Sequence, residues 1–510
     1  MEEKSIGEKI AHGTVIIIAV SVLAKLTAFI AEAINANYLG TTDQSDAYYM
    51  VSSIQQVIYP MLSIGVWKVF LPIYKDRITQ GDRSGADRIT NQMITFFTLV
   101  SLTAVAVLMI FSPAVVSLVA PGFAGTTREL CIRLVRISAP MYVFIIAAAI
   151  YASVLQCHGK FLGSQIREVV SHIPSILAVM LLYRRFGMTV LAYALIAGGL
   201  IRLLSELPFV DWGYRYRPDF HFRGKEFRLM LTRLPSALLS AGVQQINALV
   251  DKAMASSFPA GAVSGLNYGA RLTHVFSGLL STAISTAMYP QMIELISLKK
   301  RRELSRLVEK ILAIFGVLMI PVSLACILFR TELVRVVFQR GAFDEHSTAL
   351  TAGIFALYAI SLFFVACSSV VSNVFYGSGD TKTPLIINIA HTLLNVALNL
   401  ALSRLMGVNG LALATSLSAI LTLLIRMYFS RRYVDWERDR LLLPLGKTLA
   451  ISAVSCGGAY IAARLLFSGS LTRLICGAVI GVPVYLLLAH LVKLEELGDV
   501  LTLLRKRIKR

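Results

Sequence analysis

Long apolar stretches separated by short polar segments recur from about residue 13 to residue 492. A run of about 20 apolar residues can cross the hydrocarbon core of a bilayer as a helix, and longer runs can tilt or extend beyond it. The pattern therefore predicts an all-α polytopic membrane protein with about fourteen transmembrane helices. The predicted spans are 13–39, 46–73, 91–119, 129–156, 161–183, 187–211, 229–256, 262–297, 307–329, 347–376, 383–403, 408–430, 448–463 and 474–492.

Composition supports this class. Of the 510 residues, 56% are hydrophobic and only 15% are charged, and the mean hydropathy is +0.70, which excludes an ordinary soluble protein. The six cysteines all lie in or at the ends of apolar stretches, so they are expected to be small packing residues and neither disulfides nor metal ligands. The first apolar run is too long, and the residues before it too acidic, for a cleaved signal peptide. We expect the first helix to remain.

The basic residues are concentrated in alternate loops, which predicts the orientation of the chain. Clusters occur at 75–88, at 299–306 and in the tail 505–510, and cytoplasmic loops are those that carry excess Lys and Arg. Both termini are therefore predicted to be cytoplasmic, with the turns 40–45 and 257–261 outside. The basic residues that give the net charge of +20 are expected to lie on solvated faces near anionic lipid, and no nucleic-acid partner is expected.

Three matches at nearly one offset indicate an internal repeat. Ser45-Asp-Ala-Tyr48 resembles Gly265-Leu-Asn-Tyr268, and Gly159 matches Gly379, both at an offset of 220; Pro72 matches Pro290 at 218. Repeated six-helix lobes are typical of transporters that open alternately to each side of the membrane. The predicted division is an N-lobe at 1–220, a C-lobe at 221–440, and two additional helices with a basic tail at 441–510.

Ionisable residues inside the first two spans are the strongest sign of a substrate path. Lys25, Glu32, Asp46 and Lys68 lie in segments that would cross lipid, where a charge costs about 3 kcal/mol or more. Such residues usually face a water-filled cavity. The alternative is a self-neutralising pair between packed helices.

Motifs of an enzyme or a primary pump are absent from the sequence. Gly446-Lys447-Thr448 resembles the end of a phosphate-binding loop, but Leu441 occupies the position of its first glycine. His274 and His391 are expected to pack inside helices. The prediction is a transporter that is not an enzyme, without a cofactor, driven by an ion gradient, the membrane potential or the gradient of its substrate.

Several motifs resemble the MurJ (MviN) lipid II flippases of bacteria. They are Phe29-Ile-Ala-Glu-Ala-Ile-Asn-Ala-Asn-Tyr-Leu-Gly40, Ser45-Asp-Ala-Tyr-Tyr49, Phe70-Leu-Pro-Ile-Tyr74, Ser264-Gly-Leu-Asn-Tyr-Gly-Ala-Arg-Leu272, Phe338-Gln-Arg-Gly-Ala-Phe343 and Asp380-Thr-Lys-Thr-Pro384. The resemblance implies the MOP fold, with two six-helix lobes in an inverted V around a cationic cavity, and a groove along helices 13 and 14 for a polyprenyl tail. It also implies movement of an undecaprenyl-diphosphate-linked glycan, with lipid II as the first expectation, to the outer leaflet of the bacterial cytoplasmic membrane for peptidoglycan synthesis.

The resemblance also implies two sets of site residues. Lys25, Lys68 and Arg271 are expected to contact the diphosphate, with Glu32 and Asp46 orienting these cations or serving a gate. Family members bind sodium in helices that here carry Asp251, Asn395, Asn399 and Thr415, whose oxygens suit a hard cation; ordinary interhelical hydrogen bonding is the alternative.

The chain departs from the family pattern at several charged positions. Ala31 and the segment 57–59 replace arginines, Ser63 replaces a carboxylate, and Ala270 replaces an aspartate. These departures leave open a flippase for another lipid-linked polysaccharide precursor. A MATE-like exporter, which would have an acidic cavity and about twelve helices, and a membrane scaffold in wall synthesis are two further hypotheses. Cell-wall synthesis proteins are candidate partners.

Overall fold

The computed structural model describes residues 6–210, 214–494 and 496–498, and the regular structure in these ranges is helical. Internal packing divides the chain into two compact units, Met1–Ser264 (unit 1) and Gly265–Arg510 (unit 2). This division follows contacts, whereas the predicted lobes follow a sequence repeat. The boundaries at 220 and 440 therefore stay a prediction.

Unit 1 contains nine complete α-helices among its described residues. They are α1 (Ile6–Leu39), α2 (Asp43–Thr79), α3 (Arg83–Val119), α4 (Gly125–Ser138), α5 (Met141–Cys157), α6 (Phe161–Val170), α7 (Ile173–Phe186), α8 (Thr189–Glu206) and α9 (Lys225–Ala255). A short 3-10 turn, Leu207–Phe209, follows α8. The helix after α9, α10 (Ala262–Ser297), begins two residues before the end of the unit and continues into unit 2.

Two predicted spans of unit 1 are each built from two helices. The span 129–156 forms α4 and α5, which bend by 45° at their junction, where Pro140 has no N–H to donate. The span 161–183 forms α6 and α7, which are separated at Ser171 and His172, just before Pro174. Proline explains both breaks.

The turn between α1 and α2 is fixed by a reciprocal cap. Ser45 donates its backbone N–H to the Thr42 hydroxyl at 3.2 Å, and Thr42 donates its backbone N–H to the Ser45 hydroxyl at 2.7 Å. These two bonds satisfy donors that the first turn of a helix would otherwise leave unpaired. They start α2 at Asp43, three residues before the predicted boundary, and carry Asp46 into its first turn.

Unit 2 contains eight further complete helices among its described residues. They are α11 (Arg301–Leu328), α12 (Arg330–Phe338), α13 (Glu345–Ala359), α14 (Leu362–Gly377), α15 (Lys382–Met406), α16 (Val408–Ser430), α17 (Arg438–Leu466) and α18 (Ser470–Leu491). The predicted span 347–376 corresponds to α13 and α14 together. Helix α12 was not predicted, because its nine residues include Arg330, Glu332 and Arg335 and form no long apolar run.

Each unit buries its own aromatic core. In unit 1, Phe70 and Tyr74 of α2 pack with Phe97 of α3 and Phe227 of α9. In unit 2, apolar side chains of α11 and α14 form a large cluster, which extends to α16 and the segment that follows it. Burial of these faces fixes the helices that carry the polar groups described below.

Eleven helices or helix pairs in the described part of the chain are long and apolar enough to cross a membrane, or twelve if the bent pair α4–α5 is one span. Helices α9 and α10, which correspond to two further predicted spans, are not among them. The all-α, multi-span architecture is confirmed. The count of fourteen stays a prediction.

Candidate functional site

The Asp46 carboxylate lies at the N-terminus of α10. It accepts the backbone N–H of Gly261 at 2.8 Å and that of Ser264 at 2.7 Å, and the residue is only 3% exposed. A negative charge is stabilised at a helix N-terminus, where the first N–H groups have no partner within the helix. A side chain at position 261 would need a left-handed φ of +91° and would meet Thr41 at 2.8 Å, so glycine is required there. Asp46 thus binds backbone donors in this state.

A second polar contact joins α2 to α9. The Lys252 ammonium donates to the Ser53 hydroxyl at 2.8 Å, and Ser53 donates to the backbone oxygen of Tyr49 at 2.5 Å. Lys252 is 7% exposed, and the adjacent Asp251 is buried as well. Asp251 was predicted from the sequence as a site residue and Lys252 was missed, although both are charged residues at the end of one predicted span.

The other predicted cavity residues differ in their exposure and in the unit to which they belong. In α1, Glu32 is buried and Lys25 is exposed. Lys68 is exposed on α2, and Arg271 is half-buried in α10, in unit 2. Their roles toward a substrate stay predictions.

A partly buried ionic network in unit 1 was not predicted. It consists of Tyr59 of α2, Arg167 and Glu168 of α6, and Arg202 and Glu206 of α8, and we call these five residues the ionic network. Glu168 is at its centre: it accepts the Tyr59 hydroxyl at 2.6 Å and the Arg202 guanidinium at 3.0 Å. The Arg202 guanidinium also stacks over the Tyr59 ring, 4.4 Å from its centre.

Arg167 connects the two carboxylates of the ionic network. Its guanidinium lies 3.5 Å from Glu168 and 3.4 Å from Glu206, and it donates to the backbone oxygen of Ala148 at 3.2 Å. Glu206 is completely buried. The signal for this network was present in the sequence, because all four charged residues fall inside the predicted spans 161–183 and 187–211. Their pairing depends on α6 packing against α8, which no local pattern reveals.

Unit 2 instead has a neutral polar centre. Asn399 donates its amide to Asn395 at 3.0 Å, and the Asn395 amide lies 3.5 Å from the Thr415 hydroxyl and 3.4 Å from that of Ser418. Both asparagines are completely buried. Three of the four predicted ion ligands are therefore in contact, and the fourth, Asp251, lies in unit 1. Amide and hydroxyl oxygens of this kind fit a hard cation such as sodium.

The last two helices present apolar faces at the surface of unit 2. The Tyr485 hydroxyl donates to the backbone oxygen of Val317 at 2.8 Å and holds α18 against α11. On α18 the exposed residues Ile475, Val479, Val482 and Leu486 follow helical spacing. Such a stripe suits contact with acyl or polyprenyl chains.

Comparison with known proteins identifies the family. The family model "Lipid II flippase MurJ" matches residues 35–479. A protein of Thermotoga maritima named "Probable lipid II flippase MurJ" is 25% identical over 94% of this chain and 96% of its own length. The lipid II flippase MurJ of Burkholderia cenocepacia is 27% identical over 79% of this chain and 80% of its own.

Solved structures agree on the fold. A lipid II flippase MurJ in an inward closed conformation superposes with a TM-score of 0.81 at 22% identity and covers 94% of this chain and 98% of that one. An inward-facing MATE transporter of the MOP superfamily reaches 0.65 at 15% identity, covering 82% and 97%. The MATE likeness is thus weaker and extends to the fold alone. Since the MurJ family model covers most of its length, this chain belongs to the family of MurJ lipid II flippases.

Proposed function

We propose that this protein moves lipid II from the inner to the outer leaflet of the bacterial cytoplasmic membrane by alternating access, for peptidoglycan synthesis. The observation that carries this proposal is the match of the MurJ family model to residues 35–479. Members of this family are named as transport proteins, and alternating access needs no covalent step. We therefore propose a transporter that is not an enzyme. An ion-coupled exporter of the MATE type has only the weaker structural likeness in its favour.

The diphosphate of such a substrate must be neutralised inside the protein. Burial of an anion without fixed cations is prohibitively costly, and we assign the cations Lys25, Lys68 and Arg271 to this task. Arg271 is the central one, because a guanidinium binds two phosphate oxygens at once, whereas an ammonium cannot. Glu32 would orient these cations.

The decisive test is complementation of a bacterium depleted of its own flippase, with lipid-linked precursors measured on each leaflet. We expect lipid II to reach the outer leaflet. Transport of a different undecaprenyl-diphosphate-linked glycan would assign another substrate, and growth rescue without any movement of precursors would indicate a scaffold.

Substitutions then test the cavity residues. Arg271→Ala and Lys25→Ala should abolish flipping at normal protein abundance, and Arg271→Lys should retain part of the activity. Arg404→Ala, at an exposed position near the end of α15, is the matched control and should be active. Full activity of Arg271→Ala, or loss only in step with protein abundance, contradicts the diphosphate role.

We also propose that both termini are cytoplasmic and that the turns at 40–45 and 257–261 face outward. The basic clusters at 75–88 and 299–306 support this orientation. Single cysteines at Thr42 and Ala260 should react with an impermeant thiol reagent in whole cells, and one at Ser84 should not. The reverse pattern would invert the topology.

Sodium, or the membrane potential alone, is proposed to drive the cycle. The contact of Asn395 with Asn399 and Thr415 supports a sodium site in unit 2, and Asp251 stays a separate predicted ligand. Sodium would neutralise and order these oxygens. Asp251→Asn should remove a sodium dependence of flipping. If flipping does not respond to sodium but responds to the membrane potential, the potential is the driving force.

Cell-wall synthesis proteins remain predicted partners.

A further inference from the structure

We propose that the ionic network of unit 1 is a phosphate-binding cradle that the carboxylate of Glu168 fills while substrate is absent. This inference rests on the proposed function, since it assigns a second contact point for the phosphates of the lipid substrate. It concerns residues of α2, α6 and α8, apart from the cations predicted from the sequence.

Two donors bond to the carboxylate of Glu168, and a third N–H group lies beside it. The Tyr59 hydroxyl lies at 2.6 Å and the Arg202 guanidinium at 3.0 Å, and Nε of Arg167 lies at 3.5 Å. In the described part of the chain, this Nε has no hydrogen-bond acceptor. A hydroxyl and two guanidinium groups directed at one oxyanion are the donors that recognise phosphate in proteins.

The donors are held in place by groups other than Glu168. Arg202 is stacked on the Tyr59 ring and donates also to the Ser171 hydroxyl at 3.2 Å, and Arg167 is anchored by Ala148 and by Glu206. Removing the Glu168 carboxylate would therefore leave the cradle assembled. A preformed site of this kind loses little conformational entropy when an anion binds.

Glu168 is the member of the network that can leave. Its side chain is 32% exposed, whereas those of Arg167 and Arg202 are 12% and 13% exposed and that of Glu206 is fully buried. The carboxylate can rotate into accessible space while a phosphate takes its place. The two arginines keep an anionic partner both before and after the exchange, so neither state leaves a buried charge unpaired.

An exchangeable internal anion also explains how a transporter could release its cargo. Without the Glu168 carboxylate, the two guanidinium groups would be balanced only by Glu206, and the phosphate would be held too tightly to leave. The returning Glu168 carboxylate competes with it. A network that merely fastened α6 to α8 would not need a carboxylate as its most exposed charged side chain.

The test uses the full-length protein in nanodiscs, with two probes: lipid II and soluble inorganic diphosphate. Glu168→Gln should bind both about tenfold more tightly than the unaltered protein and should flip lipid II more slowly, because release becomes difficult. Arg202→Gln should bind both about tenfold more weakly. Tyr59→Phe, which keeps the ring and removes one donor, should weaken binding a few-fold.

Arg426→Gln is the matched control. Arg426 is a half-buried arginine of α16 in unit 2 whose partners are neutral, and its loss should leave diphosphate binding unchanged. Nanodiscs enriched in phosphatidylglycerol distinguish substrate from bulk lipid: an excess of this lipid should not compete with lipid II in Glu168→Gln. Equal competition would overturn the assignment to substrate.

Weaker binding in Glu168→Gln, parallel to that in Arg202→Gln, would show that the network only fastens helices and would overturn the cradle. The same experiment distinguishes failure of the proposed function from failure of the cradle. If the unaltered protein did not flip lipid II, the response of Glu168→Gln to inorganic diphosphate would still decide the cradle. If flipping is normal but diphosphate binding is the same in all variants, the cradle is wrong and the function stands.

Discussion

The ionic network of unit 1 is built from charged side chains, whereas the centre around Asn395 and Asn399 in unit 2 is built from neutral amides and hydroxyls. In unit 1 the carboxylate of Glu168 lies between two guanidinium groups, and in unit 2 Asn395 bonds to Asn399. An ionic centre can exchange one anion for another, while neutral oxygens suit a hard cation. Two regions that the predicted sequence repeat would relate therefore offer different binding chemistry.

Arginine occurs in both interiors with different partners. Arg202 is paired with a carboxylate, whereas Arg426 donates to the backbone oxygen and hydroxyl of Ser368 and to the amide oxygen of Asn388. The same side chain thus contributes charge balance in unit 1 and hydrogen bonds in unit 2. The following predictions test this difference.

Loss of Arg202 from the ionic network should lower the stability of the protein more than loss of Arg426 from unit 2. Arg202→Leu leaves a carboxylate with one fewer cation and should lower the free energy of unfolding by about 3–5 kcal/mol. Arg426→Leu strands only neutral acceptors and should cost about 1–3 kcal/mol. Denaturant unfolding in one detergent measures both. Equal costs would mean that the two interiors do not differ energetically.

Both oxygens of the Asp46 carboxylate should be needed to accept the backbone N–H groups of Gly261 and Ser264. Asp46→Asn retains one acceptor oxygen, but its amide group faces the second N–H, so we expect a loss of about 1–3 kcal/mol and at least tenfold slower flipping. Asp43→Asn is the control, since Asp43 is exposed one turn earlier in the same helix. Similar effects of the two substitutions would remove any special role of Asp46.

A carboxylate introduced into the neutral centre should strengthen its response to sodium. Asn395→Asp adds a buried negative charge next to Asn399 and Thr415, which should destabilise the protein without sodium. Sodium at ten times its Kd should restore about 1.4 kcal/mol, and potassium or choline should not. Thermal unfolding at constant ionic strength measures this. The same response to all three cations would exclude a sodium site.

The helices could be predicted from the sequence because apolar length and turn residues are local signals. Each of the fourteen predicted spans falls on a helix or helix pair, but the break at Ser171 and His172 and the short α12 were missed. Pro174 was visible as a break signal, whereas α12 lacks an apolar run.

The partners of the charged residues could not be predicted in the same way. Asp46 was expected to orient cations or to serve a gate, and its observed partners are the backbone N–H groups of Gly261 and Ser264, which no side-chain pattern encodes. The spacing of Asn395 and Asn399 did predict their contact, because residues four apart share a helix face. Arg167 and Glu206 lie on different helices, so their pairing required the tertiary structure.

Ion pairs in which every member is about one third exposed should contribute least, and Arg77 of unit 1 provides the example. It pairs with Asp82, which caps α3, at 2.7 Å and with Glu226 in the first turn of α9. The pKa of Glu226 is lowered by its own backbone N–H at the helix N-terminus and by the Arg77 guanidinium. A carboxyl whose pKa is lowered on folding adds stability above its ordinary pKa, near pH 4, and this contribution disappears as the pH falls through the folded value.

Glu226→Gln should therefore lower the melting temperature of the protein at pH 7 by less than about 2 °C, because water and salt screen a pair that is one third exposed. The difference between variant and unaltered protein should vanish as the pH is lowered below 4, where the native carboxyl is protonated as well. Raising the salt concentration should reduce the difference at pH 7. A loss of stability as large as that of Arg202→Leu, or one that persists at pH 3, would show that the Arg77–Glu226 pair behaves like the ionic network. The contrast between charges near the surface and charges in the interior of unit 1 would then be wrong.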